Sequence, residues 1–268
     1  MNKYGSLFPT GSFHFESLRN TKAKTKDVHY HSGFEIYYLV EGACWYFIDN
    51  KSYRLTAGDI ALVPPGIIHK TSYETKTFSR MLIYCAPSLV PSSARECLRA
   101  IPLFPKSDST ETQIRSFFAA LQKEYAAPDT FSEDVIKSIF AEFLLLIARE
   151  GKNIGSIQGD SPVVEMAVKY IRSHYMDTVS LQDIADYCFV TREHLSRIFK
   201  RKTGFGVNEY LNVYRMQKAE SMLKSDPTVR ISTVALSCGF NDSNYFSKIY
   251  KKMYGISPSA AKKGQGNS

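Results

Sequence analysis

The side chains best suited to do chemistry in this sequence are small hydrogen-bonding groups interleaved with cations near the C-terminus. Along Ala235–Lys252 and just beyond, Phe246, Ile249, Tyr250 and Met253 fall at i, i+3, i+4 and i+7, one apolar stripe of a helix. Ser243, Asn244, Ser247, Lys248 and Lys251 are left on the opposite face. Such a face suits a DNA major groove, where amides and hydroxyls bond base edges and cations meet phosphates. A lone helix of this kind reads better as an ordinary solvated surface. The pattern, however, occurs twice.

About fifty residues earlier, Leu195, Ile198 and Phe199 point inward by phase and Arg192, Glu193, Ser196, Arg197 and Lys200 outward. Ala185 matches Ala235, Val190 matches Phe240, Ser196–Lys200 matches Ser247–Lys251, and Gly204 matches Gly255, with one extra residue in the second turn. The elements that must position these faces follow from helix signals. Pro162 after Ser161 opens a helix, and Ser180-Leu-Gln-Asp183 has capping-box character. Thr191 caps the helix that follows, and Gly239 marks the second turn. Val207–Lys224 reads as one long helix joining the copies and holding the two readers about 34 Å apart, one turn of DNA. Phe189 stands where the second copy has Gly239, so a left-handed turn there carries a cost that glycine avoids.

Charge supports a polyanionic partner for this half. Of the net +8 over 268 residues, residues 1–160 carry 18 Lys and Arg against 17 Asp and Glu, a net of +1. Residues 161–268 carry 16 against 9, a net of +7. No membrane partner is expected, because the longest strongly apolar run, Phe143–Ala148, is far too short to span a bilayer. No apolar leader is evident at the N-terminus, which points to a cytoplasmic protein. Cys44, Cys85, Cys97, Cys188 and Cys238 are odd in number without a C-x-x-C pair, which favours reduced thiols over a disulfide or zinc framework.

The N-terminal part has a different texture. Glu35–Val40 and Trp45–Ile48 flank Gly42 as a hairpin, and Tyr53–Leu55, Asp59–Val63 and Ser79–Tyr84 read as further strands. Phe8–Phe15 is either an extended arm over the barrel mouth or a first strand, and the Lys22–Lys26 run is a solvated loop. After these strands, Ile114, Phe117, Phe118 and Leu121 mark one helix. Ser132 caps a second, carrying Val135, Ile136, Ile139, Phe140, Phe143, Leu144 and Ile147. That stripe is wide for one neighbour, so a homodimer is expected.

Two local patterns, His29-x-His31-x3-Glu35-x6-Gly42 and Gly58-x5-Pro64-x-Gly66-x2-His69, resemble the two motifs of the cupin jelly roll. Tyr73 departs from the asparagine that usually closes the second. The resemblance implies that His29, His31, Glu35 and His69 supply three imidazoles and a carboxylate, a set suited to divalent iron, manganese, zinc or nickel. Alternation agrees, since it puts His29, His31 and Glu35 on one strand face. Three readings compete: a metal site, contacts to an organic effector, or mutual hydrogen bonds inside the barrel. The second is favoured, with Tyr37 and Trp45 or Tyr46 lining the same space, and aromatic faces beside a carboxylate would suit a sugar. No cofactor is expected unless the barrel holds that divalent metal.

Residues 163–260 resemble the DNA-binding domain of AraC/XylS-type transcriptional regulators, through Lys218-Ala219, Ile231, Val234-Ala235, Cys238-Gly239-Phe240, Tyr245-Phe246-Ser247 and Gly255-Ile-Ser-Pro258. A cupin-like half is the effector domain such proteins commonly carry. The expected fold is two-domain α+β: an N-terminal jelly-roll barrel with a helical hairpin over 1–150, a linker over 151–161, and an all-α domain of two helix-turn-helix units joined by a long helix over 162–268. By resemblance and by phase, Glu193, Ser196 and Arg197 read bases in the first copy and Ser243, Asn244, Ser247 and Lys248 in the second. Arg192, Lys200, Arg201, Lys251 and Lys252 meet phosphates. The first helix, with Arg197 and Glu193, is expected to discriminate more than the second. The resemblance further implies an effector-responsive activator working with RNA polymerase, not an enzyme. The alternative is a metal-dependent cupin enzyme fused to a DNA-binding module.

Overall fold

The computed structural model describes residues 12–22, 32–154, 159–226 and 228–263. The chain forms two compact units that meet in sequence at Ser161 and Pro162.

The first unit is built on eight strands: β1 (Phe13–Lys22), β2 (Phe34–Glu41), β3 (Ala43–Ile48), β4 (Lys51–Thr56), β5 (Ile60–Val63), β6 (His69–Tyr73), β7 (Thr77–Cys85) and β8 (Leu103–Phe104). They form two antiparallel sheets, ordered β1-β7-β2-β5-β8 and β4-β3-β6. The expected barrel is thus an open two-sheet sandwich among the described residues. Helices α1 (Arg95–Ala100), α2 (Asp108–Ala126) and α3 (Ser132–Gly151) complete the unit.

Alternation along β2 explains the layering. Phe34, Ile36 and Tyr38 face one way and join Phe117, Phe118, Phe140 and Phe143 of the α2–α3 hairpin in one core. Tyr38 stacks on Phe118 at 4.7 Å and Phe117 on Phe143 at 4.1 Å. Tyr37 and Leu39 face the other way, with Cys44, Tyr46, Ile48, Tyr53 and Leu55, and form the core between the sheets. Phe13 and Phe15 belong to β1, paired with β7 from Phe13 opposite Cys85, so the described part of the N-terminal segment is a first strand. Residues 8–11 of the expected arm lie outside the described residues, as do 23–26 of the lysine run. Ser132 does not cap α3 as expected. It is the first helical residue, and its hydroxyl donates to Glu124 at 2.7 Å while accepting from the Asp129 amide at 3.0 Å, which ties down the α2–α3 turn.

The second unit contains α4 (Pro162–His174), α5 (Leu181–Tyr187), α6 (Arg192–Thr203), α7 (Val207–Ser225), α8 (Ile231–Ser237), α9 (Ser243–Tyr254) and α10 (Pro258–Lys263). The pairs α5–α6 and α8–α9 have the same lengths, 7 and 12 residues each. Their turns also carry the same bonds. Val190 N–H donates to Ala185 O at 3.0 Å as Phe240 N–H does to Ala235 O at 2.9 Å, the six-to-one bond of a Schellman turn. Both α6 and α9 end on a left-handed glycine, Gly204 (φ 74°) and Gly255 (φ 76°). The 19-residue α7 joins the copies as one helix.

Candidate nucleic-acid interface and effector chamber

Both outward-facing helices, α6 and α9, start from a side-chain cap. Ser180 and Asp183 close the capping box of α5, and the Thr191 hydroxyl accepts the His194 amide at 3.2 Å ahead of α6. In the second copy Asp242 takes this role, accepting the Asn244 amide at 2.7 Å. Inward, α6 is anchored by Leu195 and Phe199, and α9 by Phe246 and Tyr250, all buried. Outward, Arg192, Glu193, Ser196, Arg197, Lys200 and Arg201 are exposed on α6, and Asn244, Lys248, Lys251 and Lys252 on α9.

Two residues of the α9 face are less open than phase alone suggests. Ser243 and Ser247 are half-buried, and Ser247 Oγ donates to Ser243 O at 2.8 Å, leaving it lone pairs rather than a proton for a base. Lys200 pairs with Glu209 at 3.6 Å, and Arg192 lies 4.0 Å from Glu193. Tyr245, read only as a family mark, stands exposed between Asn244 and Phe246. His194 lies beside Arg197 on α6, with 3.5 Å between Nδ1 and the guanidinium. A strict stripe-and-face reading passes over both residues because they sit at its edges.

The two turns solve one backbone problem differently. Gly239 has φ 80° and Phe189 φ 55°, both left-handed. A Cβ on Gly239 would come within 2.5 Å of Tyr175 O and 2.8 Å of an Arg215 nitrogen. Arg215 of α7 donates to Tyr175 O at 2.7 Å and Asp177 O at 2.8 Å and lies over the Phe240 ring. It thereby locks the end of α4 against the second turn. Phe189, by contrast, is 88% exposed.

Inside the sandwich of the first unit, Glu35 and His69 are 5% and 2% exposed, with His69 Nε2 3.5 Å from Glu35 Oε2. The Tyr46 hydroxyl donates to Glu35, and His69 Nδ1 donates to Ile67 O at 2.8 Å. Burial pushes the His69 imidazole down, but the Glu35 charge, its hydrogen bond and the Ile67 carbonyl together hold its pKa above the usual 6.5. Burial, with the Glu35 charge, also keeps Tyr46 well above the usual range and hence an O–H donor. Tyr37 shares a hydrogen bond with Tyr73 at 3.0 Å.

Arg80, 2% exposed, lies over the Tyr37 ring at 5.6 Å and donates from Nη2 to Glu16. Its Nη1 is buried without a hydrogen-bond partner among the described residues. Neither Arg80 nor Tyr73 stood out as a ligand contact in the sequence.

His29 and His31 lie outside the described residues. Trp45 was expected in this chamber, but β-alternation puts Cys44, Tyr46 and Ile48 there and Trp45 on the other face of β3, where its Nε1 donates to Glu74 at 2.7 Å. Two neighbours on one strand cannot both face inward, and of the two candidates Tyr46 is the one that does. The five cysteines are free thiols, and burial pushes those of Cys44 and Cys85 up to about 12.

Comparison with known proteins bears on both units. Residues 12–138 match the family described as AraC-like ligand binding domain, and residues 184–264 match one described as helix-turn-helix domain. Among curated relatives, the HTH-type transcriptional activator RhaS of Escherichia fergusonii is 25% identical over 249 residues, covering 88% of this chain and 87% of that protein. The activator RhaR of Cronobacter sakazakii is 23% identical over 239 residues, covering 86% and 84%. Among solved structures, ToxT from Vibrio cholerae O395 matches 96% of this chain and 99% of its own at 18% identity and a TM-score of 0.41.

Proposed function

This chain belongs to the AraC family of transcriptional regulators, and from that premise we propose that it activates a carbohydrate-use operon in response to a small polar effector. The observation that carries the DNA-binding half is the repeated pair of 7- and 12-residue helices with matching turn bonds, each exposing polar and cationic side chains. In this reading Arg197 takes a guanine bidentately, Asn244 an adenine, and Glu193 accepts from cytosine N4. Ser196, Ser243, Ser247 and Lys248 complete the base-reading set, while Arg192, Lys200, Arg201, Lys251 and Lys252 grip phosphates.

The effector enters the sandwich interior. Glu35, His69 and the tyrosines offer donors and acceptors beside aromatic faces, and buried Arg80 holds an unused N–H for an acceptor on the ligand. A polyol such as a sugar meets all of these at once. The protein acts in the cytoplasm, as a homodimer and with RNA polymerase. Half-exposed Val135 and Leu145 on α3 are apolar surface that a second copy would cover. Among the described residues, no helix is long and apolar enough to cross a membrane.

A second reading, a metal-dependent cupin enzyme fused to a DNA-binding module, is favoured by the approach of His69 to Glu35. An ion there would be held by these two with His29 and His31, and it would have to compete with the Tyr46 hydroxyl for Glu35. Thermal-shift screening of monosaccharides tests the effector assignment. A true effector raises the Tm by mass action in the wild type, fails to do so in Arg80→Gln, and changes affinity for a selected duplex. Stoichiometric iron, manganese or nickel in protein purified without chelators, with no sugar response, would overturn it in favour of the enzyme.

A further inference from the structure

We propose that the first unit carries a second small-molecule site, separate from the Glu35–His69 polar groups of the sandwich interior, that takes an amphipathic anion such as an aromatic carboxylate. A cavity of about 450 Å³ opens between the β3–β4 turn, the end of α1 with the residues that follow it, and the end of α3. That volume lies within the roughly 300–1,000 Å³ of small-ligand pockets. Ile48, Ile67 and Leu103 give it an apolar floor. Three cations line it, Lys51, Arg99 and Lys152, against one carboxylate, Asp49.

Charge distinguishes this cavity from an ordinary surface dent. Residues 1–160 are close to neutral overall, at +1, yet these four side chains alone sum to +2. Asp49 leaves at least two cations in excess. Among the described residues the side chains of Lys51, Arg99 and Lys152 have neither a hydrogen-bond nor an ion-pair partner. An apolar floor beneath uncompensated cations binds a ligand with a hydrophobic body and an anionic head, since each part finds its complement only there. Ile48, Tyr53 and Leu103 also belong to the core between the sheets, but none of Glu35, Tyr37, Tyr46, His69 and Arg80 lines the cavity, so the site stands whether or not those polar groups bind the effector.

Its position gives occupancy a consequence. Lys152 and Ile154 follow the last residue of α3 and lead into the segment that precedes Pro162, where the chain passes to the second unit. A bound anion bridges them to α1 and to the β3–β4 turn, which are remote in sequence. Occupancy therefore fixes the start of that connection.

The test uses the full chain and 4-benzoylbenzoate, an aromatic carboxylate that also crosslinks on irradiation, with 4-benzoylbenzamide as its neutral counterpart. Calorimetry is expected to give saturable one-to-one binding of the acid and at least about tenfold weaker binding of the amide. Crosslinks should map to residues 99–103 and 151–154. The exposed pair Arg99→Glu and Lys152→Glu should weaken the acid by about tenfold or more while leaving the melting curve of the free protein in place. Absence of saturable binding, equal binding of acid and amide, crosslinks confined to the interior strands, or an unchanged affinity in the double variant would each overturn the proposal.

Discussion

Gly239→Ala and Phe189→Gly change equivalent backbone positions of the two copies, and the structure predicts opposite signs. At Gly239 the left-handed φ of 80° costs an L-residue about 1–2 kcal/mol. The new Cβ must also clear Tyr175 O, a main-chain atom only 2.5 Å away, and the Arg215 guanidinium that holds it. Overpacking of this kind adds about 1–3 kcal/mol, for a total loss of about 2–5 kcal/mol. At Phe189 the φ of 55° carries the same backbone cost in the wild type, and the exposed ring returns little burial energy. Glycine relieves about 1–2 kcal/mol of strain there and costs about 0.5–1 kcal/mol in chain entropy, a net gain on the order of 0.5–1 kcal/mol. Thermal denaturation of the full chain, followed by helical circular dichroism, reads both. For a domain of this size, Gly239→Ala should lower the Tm by about 10 °C or more and Phe189→Gly should leave it level or slightly raised. Equal losses in the two variants would mean instead that the Phe189 ring supports the fold and that its backbone carries no strain for glycine to relieve. An unchanged Gly239→Ala would refute the close approach to Tyr175.

Other perturbations follow from the same geometry. Asp242→Ala removes the cap of α9 and should cost about 1 kcal/mol by denaturation, with Asp242→Asn recovering most of it. Lys251→Ala should weaken specific and random duplexes alike and reduce the salt slope of binding by about one, read by anisotropy titrations at several salt concentrations. The His69 pKa is raised in the folded state, so its contribution to stability is full below the unfolded value of about 6.5 and is lost as pH rises through the folded value. His69→Gln should therefore flatten the stability–pH curve from about pH 6.5 upward, and an unaltered curve would remove the Glu35–His69 pair from the account.

The helical half was legible because its signals are local. Amphipathic period, Ser180, Thr191 and Gly239 fix helix ends within a few residues, and the duplication aligns Phe189 with Gly239, where both backbones are left-handed. The sandwich was less legible because its signals are not local. The polar stretch His69–Tyr73 looks like a loop until β3 pairs with it, opposite His69 at Ile48. Two-residue β8 exists only through its ladder with Ile60 and Ala61, and α1 buries only Leu98. Trp45 and Tyr46 are equally good strand residues, and the facing sheet decides which of them turns inward. Arg80 was unreadable as a ligand contact because its burial and its Glu16 partner come from strands far apart in sequence.

In the proposed function, α6 and α9 each read their own stretch of DNA. Selection from random duplexes by the full chain, repeated with Arg197→Ala and Asn244→Ala, tests it most directly. The expected result is an enriched site with two base clusters about one helical turn apart. Arg197→Ala should blur one cluster, costing about 1–3 kcal/mol of discrimination there, and Asn244→Ala should blur the other more mildly. A single cluster, or both variants degrading the same bases, would contradict it.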